Sequence, residues 1–432
     1  MPNRPATVTP IGSGAARDRF GNAFAPTLSY ARGHILADTA DDFRRLQQAW
    51  RNIGRDKGAR PTYVFTGLEH ALPMRPEDLE LADDEIAPAF FFDRLKALAL
   101  DHLGGNADAH DVAVFNRITG ATLATFLVLV KPGETVIGAS ATISHPSVIR
   151  AGRHVGARFI DTSGADAFQR ALDSEERVAM IALTRLSTTY DLLPLSDIRR
   201  IVDGAHARKV PVYLDDAGGA RVGPAIFDQP KMLDLGVDVG ATGLDKYGTV
   251  GPRLGLMAGD TAVIAKIRAK GFECGLEARQ LLYPAVVRTL ERYSPRRVRD
   301  LVAATKEVAA ALRPRFGDRL HETPVTVQLL AEDILEMAMQ RGGVNEPPIV
   351  PYEANAALCM LMLRDHGMLT VHFVGVPPGG ANLLLKFIPP ETLQRFGGAE
   401  KFAEALDSSL TKLGALLRDS KQIRSLLLGE EA

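Results

Sequence analysis

The chain reads as an α/β protein with a large, mostly parallel seven-stranded sheet and a smaller α+β C-terminal domain. Three observations lead there. Seven short β-branched runs alternate with helix-like stretches between Val112 and Ala258. A helix between two strands carries the chain back across the sheet, so the strands run parallel and helices cover both faces. After about Tyr293 the alternation stops, and long helices flank scattered strand candidates. The polar residues able to do chemistry fall just after strands, at the edge where open α/β sheets bind their ligands.

The 432 residues, 46% hydrophobic and 24% charged, suffice for large cores and two or so domains. A net charge of −1 leaves no electrostatic footprint for nucleic acid or an anionic membrane. The start, MPNRPATVTPIGSGAARDRF, lacks the apolar segment of a secretory signal, and the longest apolar run, Leu123 to Val130, is far short of a membrane span. The two cysteines, Cys274 and Cys359, are too few for a disulfide framework or a Cys-rich metal site. A cytoplasmic protein without a metal, a nucleic-acid partner or a membrane partner is expected.

Residues 1–55 read as an N-terminal arm and helix. A Pro/Gly-rich start precedes a helical pattern from Asp41 to Ile53, with Phe43, Leu46, Trp50 and Ile53 at three- and four-residue spacing. Residues 56–292 are expected to form the large domain. Its first helix, Ala87–Leu103, stops at Gly104-Gly105, a C-cap signal. The strands follow at Val112–Phe115, Thr135–Ala139, Ala157–Ile160, Val178–Leu183, Val210–Leu214, Val237–Ala241 and Leu254–Ala258. Helices are expected between them at Ala121–Val130, Pro146–Val155, Ala165–Leu172 and Leu195–Ala207. Residues 293–432 read as the small domain, with helices Pro295–Leu312 and Glu400–Leu416 and strands at Thr326–Leu330, Leu369–Val374 and Leu383–Phe387.

Several strand ends carry chemistry. The run VAVFN leads into Arg117-Ile-Thr-Gly-Ala-Thr122 and an apolar helix, so Thr119, Gly120 and Ala121 sit at a helix N-terminus, where free N–H groups and the dipole favour an anion. A plain N-cap is the alternative. Asn116 and Arg117 add polar reach to the same cleft. His145 lies between a strand and Pro146, a good first helical residue; its ring can stack on a planar ligand or merely cap the helix. The hydroxyl-rich turn Thr184–Tyr190 includes Ser187, able to bond a phenolic oxygen, although such turns are common without function. Asp215 and Asp216 end one buried run, and Lys246 follows the next, with Thr242 four residues earlier. An amine and a carboxylate sharing one pocket are what pyridoxal 5'-phosphate (PLP) chemistry needs. The amine forms a Schiff base, and the carboxylate keeps the pyridine nitrogen protonated, so the ring can accept electrons. Strand alternation points the two Asp side chains apart, and Asp215 is the better pyridine partner in the order Asp-x-Ala.

The string GLDKYGTVGPRLG, with FNRITGAT, ISHPSV and VYLDDAGGA, resembles fold-type I (aspartate aminotransferase-like) PLP enzymes, closest to the branch of selenocysteine synthase and glucosaminate-phosphate ammonia-lyase. The resemblance covers residues 90 to 290. It implies that Lys246 carries the cofactor, that His145 stacks on its ring, that an Asp binds the pyridine nitrogen, and that the protein is a homodimer or larger, with sites completed by a neighbour. Two departures stand out. Where many relatives clamp the substrate carboxylate with a late-strand Arg, ANLLLKFIPP offers Lys386, which leaves Lys386, Arg253 or Arg279 for that role. Arg279, after CGLEA, is also placed to reach a neighbour's cleft or to begin a solvated helix. The basic balance needed for tRNA is absent. The expected activity is a lyase acting on a small amino acid with a β-hydroxy or other β-substituent, by elimination or aldol-type cleavage through a carbanion. A PLP-dependent transferase (aminotransferase or β-replacement) and a non-catalytic PLP-binding protein are the alternatives.

Overall fold

A computed structural model describes residues 16–55, 61–373 and 375–429. They fall into two compact units. Glu69–Arg299 forms the large one, and the described residues of 16–68 and 300–429 form the other. The N-terminal stretch expected to stand as a separate arm is therefore part of the C-terminal unit. Its helix Thr39–Gly54 packs on Pro351–His366 and Ser420–Leu428. Residues 61–68, expected in the large domain, belong to this unit too, where Tyr63–Phe65 runs parallel to Met368–Thr370, a partnership no local pattern announces.

In the C-terminal unit the helix Pro351–His366 is buried along its whole length from Pro351 to Leu363. It is apolar on nearly every side, as a helix at the centre of a core must be. The helices Thr39–Gly54, Ala331–Gly342, Gly398–Leu416 and Ser420–Leu428 pack around it. A three-stranded antiparallel sheet, Leu383–Lys386, Thr326–Leu329 and Leu320–Glu322, completes the unit. The strand expected over Leu369–Val374 is shorter: Met368–Thr370 passes directly into a 3₁₀ turn at Val371–Phe373, and Val374 lies outside the described residues.

The large unit carries the seven-stranded sheet: β1 (His110–Phe115), β2 (Thr135–Ser140), β3 (Arg158–Ser163), β4 (Met180–Thr184), β5 (Val212–Asp215), β6 (Val239–Gly243) and β7 (Gly255–Asp260). Across the sheet they run β1-β7-β6-β5-β4-β2-β3, all parallel except β7, which is antiparallel to both neighbours. Strand residues alternate between two cores. Val112, Val114, Ile181 and Leu183 face the helices Ile86–Leu103 and Leu195–Ala207, while Ala113, Phe115, Met180 and Ala182 face Ile118–Leu129 and Thr261–Glu273. Burial on both faces explains the near-continuous apolar runs. Because the parallel strands share one direction, the loops after β1, β2, β4, β5 and β6 emerge at the same edge.

Candidate active site

β5 ends on Asp215, and strand alternation turns Asp216 the other way. Both are buried, but their partners differ. Asp216 meets the fully buried Arg185 at 2.6 Å. Asp215 has no comparable cation bonded to it among the described residues, and each of the two carboxylates keeps its Oδ1 buried without a hydrogen-bond partner among them. Burial pushes the Asp215 carboxyl up to about 6, against the opposing pull of the Lys246 charge. A lone buried carboxylate oxygen is costly unless something arrives to meet it.

Lys246 stands three residues beyond β6. Gly243 lets the loop fold back, since a Cβ there would lie 2.9 Å from Asp245 Oδ1 and 3.2 Å from Lys246 Cε. Burial lowers the Lys246 amine below its ordinary range, and Asp245 and Asp215 offset part of that effect. The loop is stitched to residues 69–71: Glu69 N–H donates to Asp245 C=O (2.9 Å), Gly251 N–H to Glu69 C=O (3.1 Å) and Ala71 N–H to Gly251 C=O (3.0 Å). The Glu69 carboxylate accepts Gly248 N–H at 3.1 Å and pairs with Arg297 at 2.6 Å. Tyr247 holds a left-handed backbone (φ 47°), as does Tyr190 (φ 65°) in the turn after β4, and their hydroxyls are hydrogen-bonded. Such conformations cost about 1–3 kcal/mol each and persist where surrounding packing enforces them. Here the Tyr247 ring packs against Gly218, where a Cβ would come within 2.2 Å of Cε2.

The helix Ile118–Leu129 begins after Arg117 with no side chain capping it. Gly120 and Ala121 N–H turn back to Arg117 C=O at 2.9 and 3.2 Å, and the exposed Thr119 stands at the open end. Gly255 of β7 lies directly beneath: a Cβ there would be 2.7 Å from Ile118 N. Two residues earlier is Arg253, whose guanidinium is pushed down by burial and then by the like charge of Arg117. Its carboxylate contact, Nε to Asp245 at 3.7 Å, is long. Two guanidiniums and an open helix N-terminus make a cradle for a multiply charged anion.

An orphan carboxylate oxygen, a buried amine beside it and an anion cradle match the pyridine nitrogen, aldehyde and phosphate of PLP. A protein of Methanothermobacter thermautotrophicus named a UPF0425 pyridoxal phosphate-dependent protein is 31% identical over 406 residues, 91% of this chain and 100% of the relative. The chain belongs to the UPF0425 family of pyridoxal phosphate-dependent proteins. Its cofactor is PLP. No protein-family model matches this UPF0425 chain. Among solved structures, N-succinyldiaminopimelate aminotransferase of Mycobacterium tuberculosis matches with a TM-score of 0.56 at 16% identity, over 83% of this chain and 96% of that one. Serine palmitoyltransferase of S. paucimobilis matches with a TM-score of 0.56 at 15% identity, over 82% and 89%. These likenesses establish the fold-type I, aspartate aminotransferase-like architecture.

In this UPF0425 protein the other residues singled out in the sequence have definite places. His145 caps the helix Pro146–His154, its Nδ1 accepting Ser147 N–H at 3.1 Å, with the half-buried ring at the sheet edge. Ser187 is buried, 2.7 Å from Thr189 Oγ1 and donating to Asp191 C=O. The Thr242 hydroxyl donates to Ala217 C=O at 3.2 Å and accepts from Arg221 at 2.8 Å, so its hydrogen bonds are spent within the protein. Asn116 is exposed at the end of β1. Arg279 is exposed and bonded to Asp84 of the same chain, with Leu281 N–H on the same carboxylate. Lys386 belongs to the C-terminal unit, buried at the end of its strand against Gly67.

Four residues escaped the sequence reading. Arg221 is fully buried, its Nε and Nη2 without hydrogen-bond partners among the described residues, and burial pushes it down to about 10. Arg185 neutralises Asp216. Asp245, next to Lys246, is tied to His70, whose Nε2 lies 3.1 Å from Asp245 Oδ2. Adjacency to Lys246 was a usable signal for Asp245; nothing local marks His70.

Proposed function

We propose that this protein is a PLP-dependent lyase acting on a small amino acid with a β-hydroxy or other β-substituent. The observation that carries it is the buried Asp215 carboxylate, bonded to no guanidinium among the described residues and acted on by the charge of Lys246. When bound, the cofactor supplies an electron sink for the bonding pair released at the substrate Cα. Asp215 would hold the pyridine nitrogen protonated. Lys246 would carry the cofactor, for which burial favours the neutral amine it needs, and its Nζ would handle the proton at Cα. Arg117, Arg253 and the helix end at Thr119 would hold the phosphate and His145 would serve the ring, whereas the Gly120 and Ala121 N–H groups are bonded to Arg117 C=O and the Ser187 hydroxyl to Asp191 C=O. Asp216 acts through Arg185, not on the cofactor. Asn116, or Arg279 of a neighbouring copy in a homo-oligomer, remains for the substrate carboxylate.

A lyase also needs a proton-handling group at Cβ, which plain transamination does not. His70, beside the Lys246 loop, supports that distinction, as does the resemblance to the ammonia-lyase branch. The test incubates the PLP-loaded protein with single amino acids and assays ammonia, aldehyde and keto acid. Ammonia or aldehyde released from one β-substituted amino acid, with no second substrate, is expected. Product formation that depends strictly on an added keto acid would establish a transferase instead.

A further inference from the structure

A cavity of about 360 Å³ is lined by His70, Ala71, Pro252 and Arg253. The His70 side chain is 43% exposed, whereas its partner Asp245 is 3% exposed. Burial would raise the Asp245 carboxyl, but His70, Lys246 and Arg253 together hold it low, so it is an ionised acceptor. An ionised carboxylate only accepts, so the ring nitrogen facing it must carry the proton. That nitrogen is Nε2. In the neutral ring Nδ1 is then an unprotonated acceptor, and no hydrogen bond to it is found among the described residues. The backbone bonds from Glu69 and Ala71 to Asp245 and Gly251 hold His70 against the lysine loop from both sides.

We propose that His70, oriented by Asp245, is a catalytic base whose Nδ1 takes the proton of a substrate β-hydroxyl, and that the reaction is an aldol-type cleavage. The inference rests on the lyase reading above and selects among its reactions. The β-O–H bond breaks and its proton goes to Nδ1. The O–H pair becomes the second bond of a carbonyl, and the Cα–Cβ bond breaks with its pair left on Cα. Cα then takes a proton from the ammonium form of Lys246 Nζ, and the proton held on His70 Nδ1 passes through solvent to the amine left behind, so both groups end as they began. An aldehyde leaves first and a smaller amino acid second, with no oxidant or water consumed. Elimination would ask the reverse of His70, a proton given to a departing hydroxyl, and the tautomer set by Asp245 suits acceptance.

The test uses the PLP-loaded full chain with serine, threonine, allo-threonine and β-phenylserine, measuring aldehyde release. Exchange of the glycine α-proton in D₂O and the cofactor absorbance band are followed in parallel. His70→Gln and His70→Ala are expected to lower aldehyde release by about 100-fold or more, with exchange changed only a few-fold and the band retained. Asp245→Asn, whose amide can offer an N–H to Nε2 and put the proton on Nδ1, is expected to lower aldehyde release as well. Wild-type aldehyde release in both His70 variants would overturn the proposal. So would a parallel fall of exchange and cleavage, the mark of a merely structural residue. Ammonia and keto acid without aldehyde from the wild type would overturn the His70 assignment while leaving the lyase reading in place. Strict dependence on a keto-acid acceptor would overturn both.

Discussion

Both units bury carboxylates, but they satisfy them differently. In the C-terminal unit Asp42 is fully buried between Arg32 at 2.8 Å and Arg45 at 4.0 Å, with the Tyr352 hydroxyl also bonded to it. Glu353 accepts the backbone N–H groups of Ile35 and Leu36 at 2.6 and 2.9 Å. Gly33 lies so close to that carboxylate that a Cβ would come within 2.1 Å of its carbon. These groups pin residues 32–45 to the unit's central helix. In the large unit Asp216 behaves alike, held by Arg185 at 2.6 Å, whereas no guanidinium among the described residues is bonded to Asp215 next to it. Burial alone therefore does not mark a functional carboxylate. What sets Asp215 apart from Asp42 and Asp216 is that no guanidinium among the described residues is bonded to it, while the charge of Lys246 acts on it.

Removing the amine opposite Asp215 tests this contrast most severely. Lys246→Ala is expected to abolish borohydride-trappable cofactor labelling, and Lys246→Arg will not restore it, because a guanidinium stays protonated. Labelling that persists at another lysine would break the assignment. Next, Asp215→Asn is expected to keep the cofactor bound and cut turnover by about 100-fold, through loss of a charge-assisted hydrogen bond. Asp216→Asn measures the opposite property, because it strips a buried guanidinium of its counter-charge. Turnover near wild type after Asp215→Asn and none after Asp216→Asn would reverse their roles.

Asp42→Asn, which leaves the buried Arg45 and the partly buried Arg32 without their carboxylate, is expected to lower unfolding stability by about 3–5 kcal/mol. Chemical denaturation measures this, and a loss as small as that of a surface substitution would remove Asp42 from the comparison. A further consequence concerns pH. Asp215 titrates near 6 when folded, against an ordinary 3.8. A raised carboxyl binds its proton more tightly in the folded state, so stability is full below about pH 4 and is lost as pH rises through about 6. The penalty is roughly 3 kcal/mol. Cofactor-free Asp215→Asn should thus melt higher than cofactor-free wild type at neutral pH and converge with it in acid. The smallest effect is expected for Arg279→Ala. Its partner Asp84 belongs to the same chain, and the pair is exposed and screened, so the melting temperature should hardly move. A fall in oligomer mass by light scattering would give Arg279 an intersubunit role instead.

Much of the fold was legible in the sequence. β-branched runs with helices between them define a parallel sheet through local periodicity, and all seven strands fall within a few residues of their expected places. The helix Gly219–Phe227 was less visible because it is short, glycine-rich and interrupted by Pro224. The buried helix Pro351–His366 lacks an amphipathic stripe, so no polar face marked it. In the site, Lys246 and the Asp215–Asp216 pair were readable because each follows directly from a strand end, and alternation alone separated the two carboxylates.

Sequence by itself thus determined the fold class, the strand-end positions and the cofactor chemistry, since all three depend on residue types at short spacing. Tertiary structure decided which carboxylate is already neutralised, that Thr242 spends its hydroxyl on Arg221 and Ala217, and that residues 16–55 join the C-terminal unit. It alone brought His70 to Asp245, 175 positions away. Those outcomes depend on which groups meet after the chain has crossed the sheet several times, and electrostatic pairing acts through space rather than along the chain.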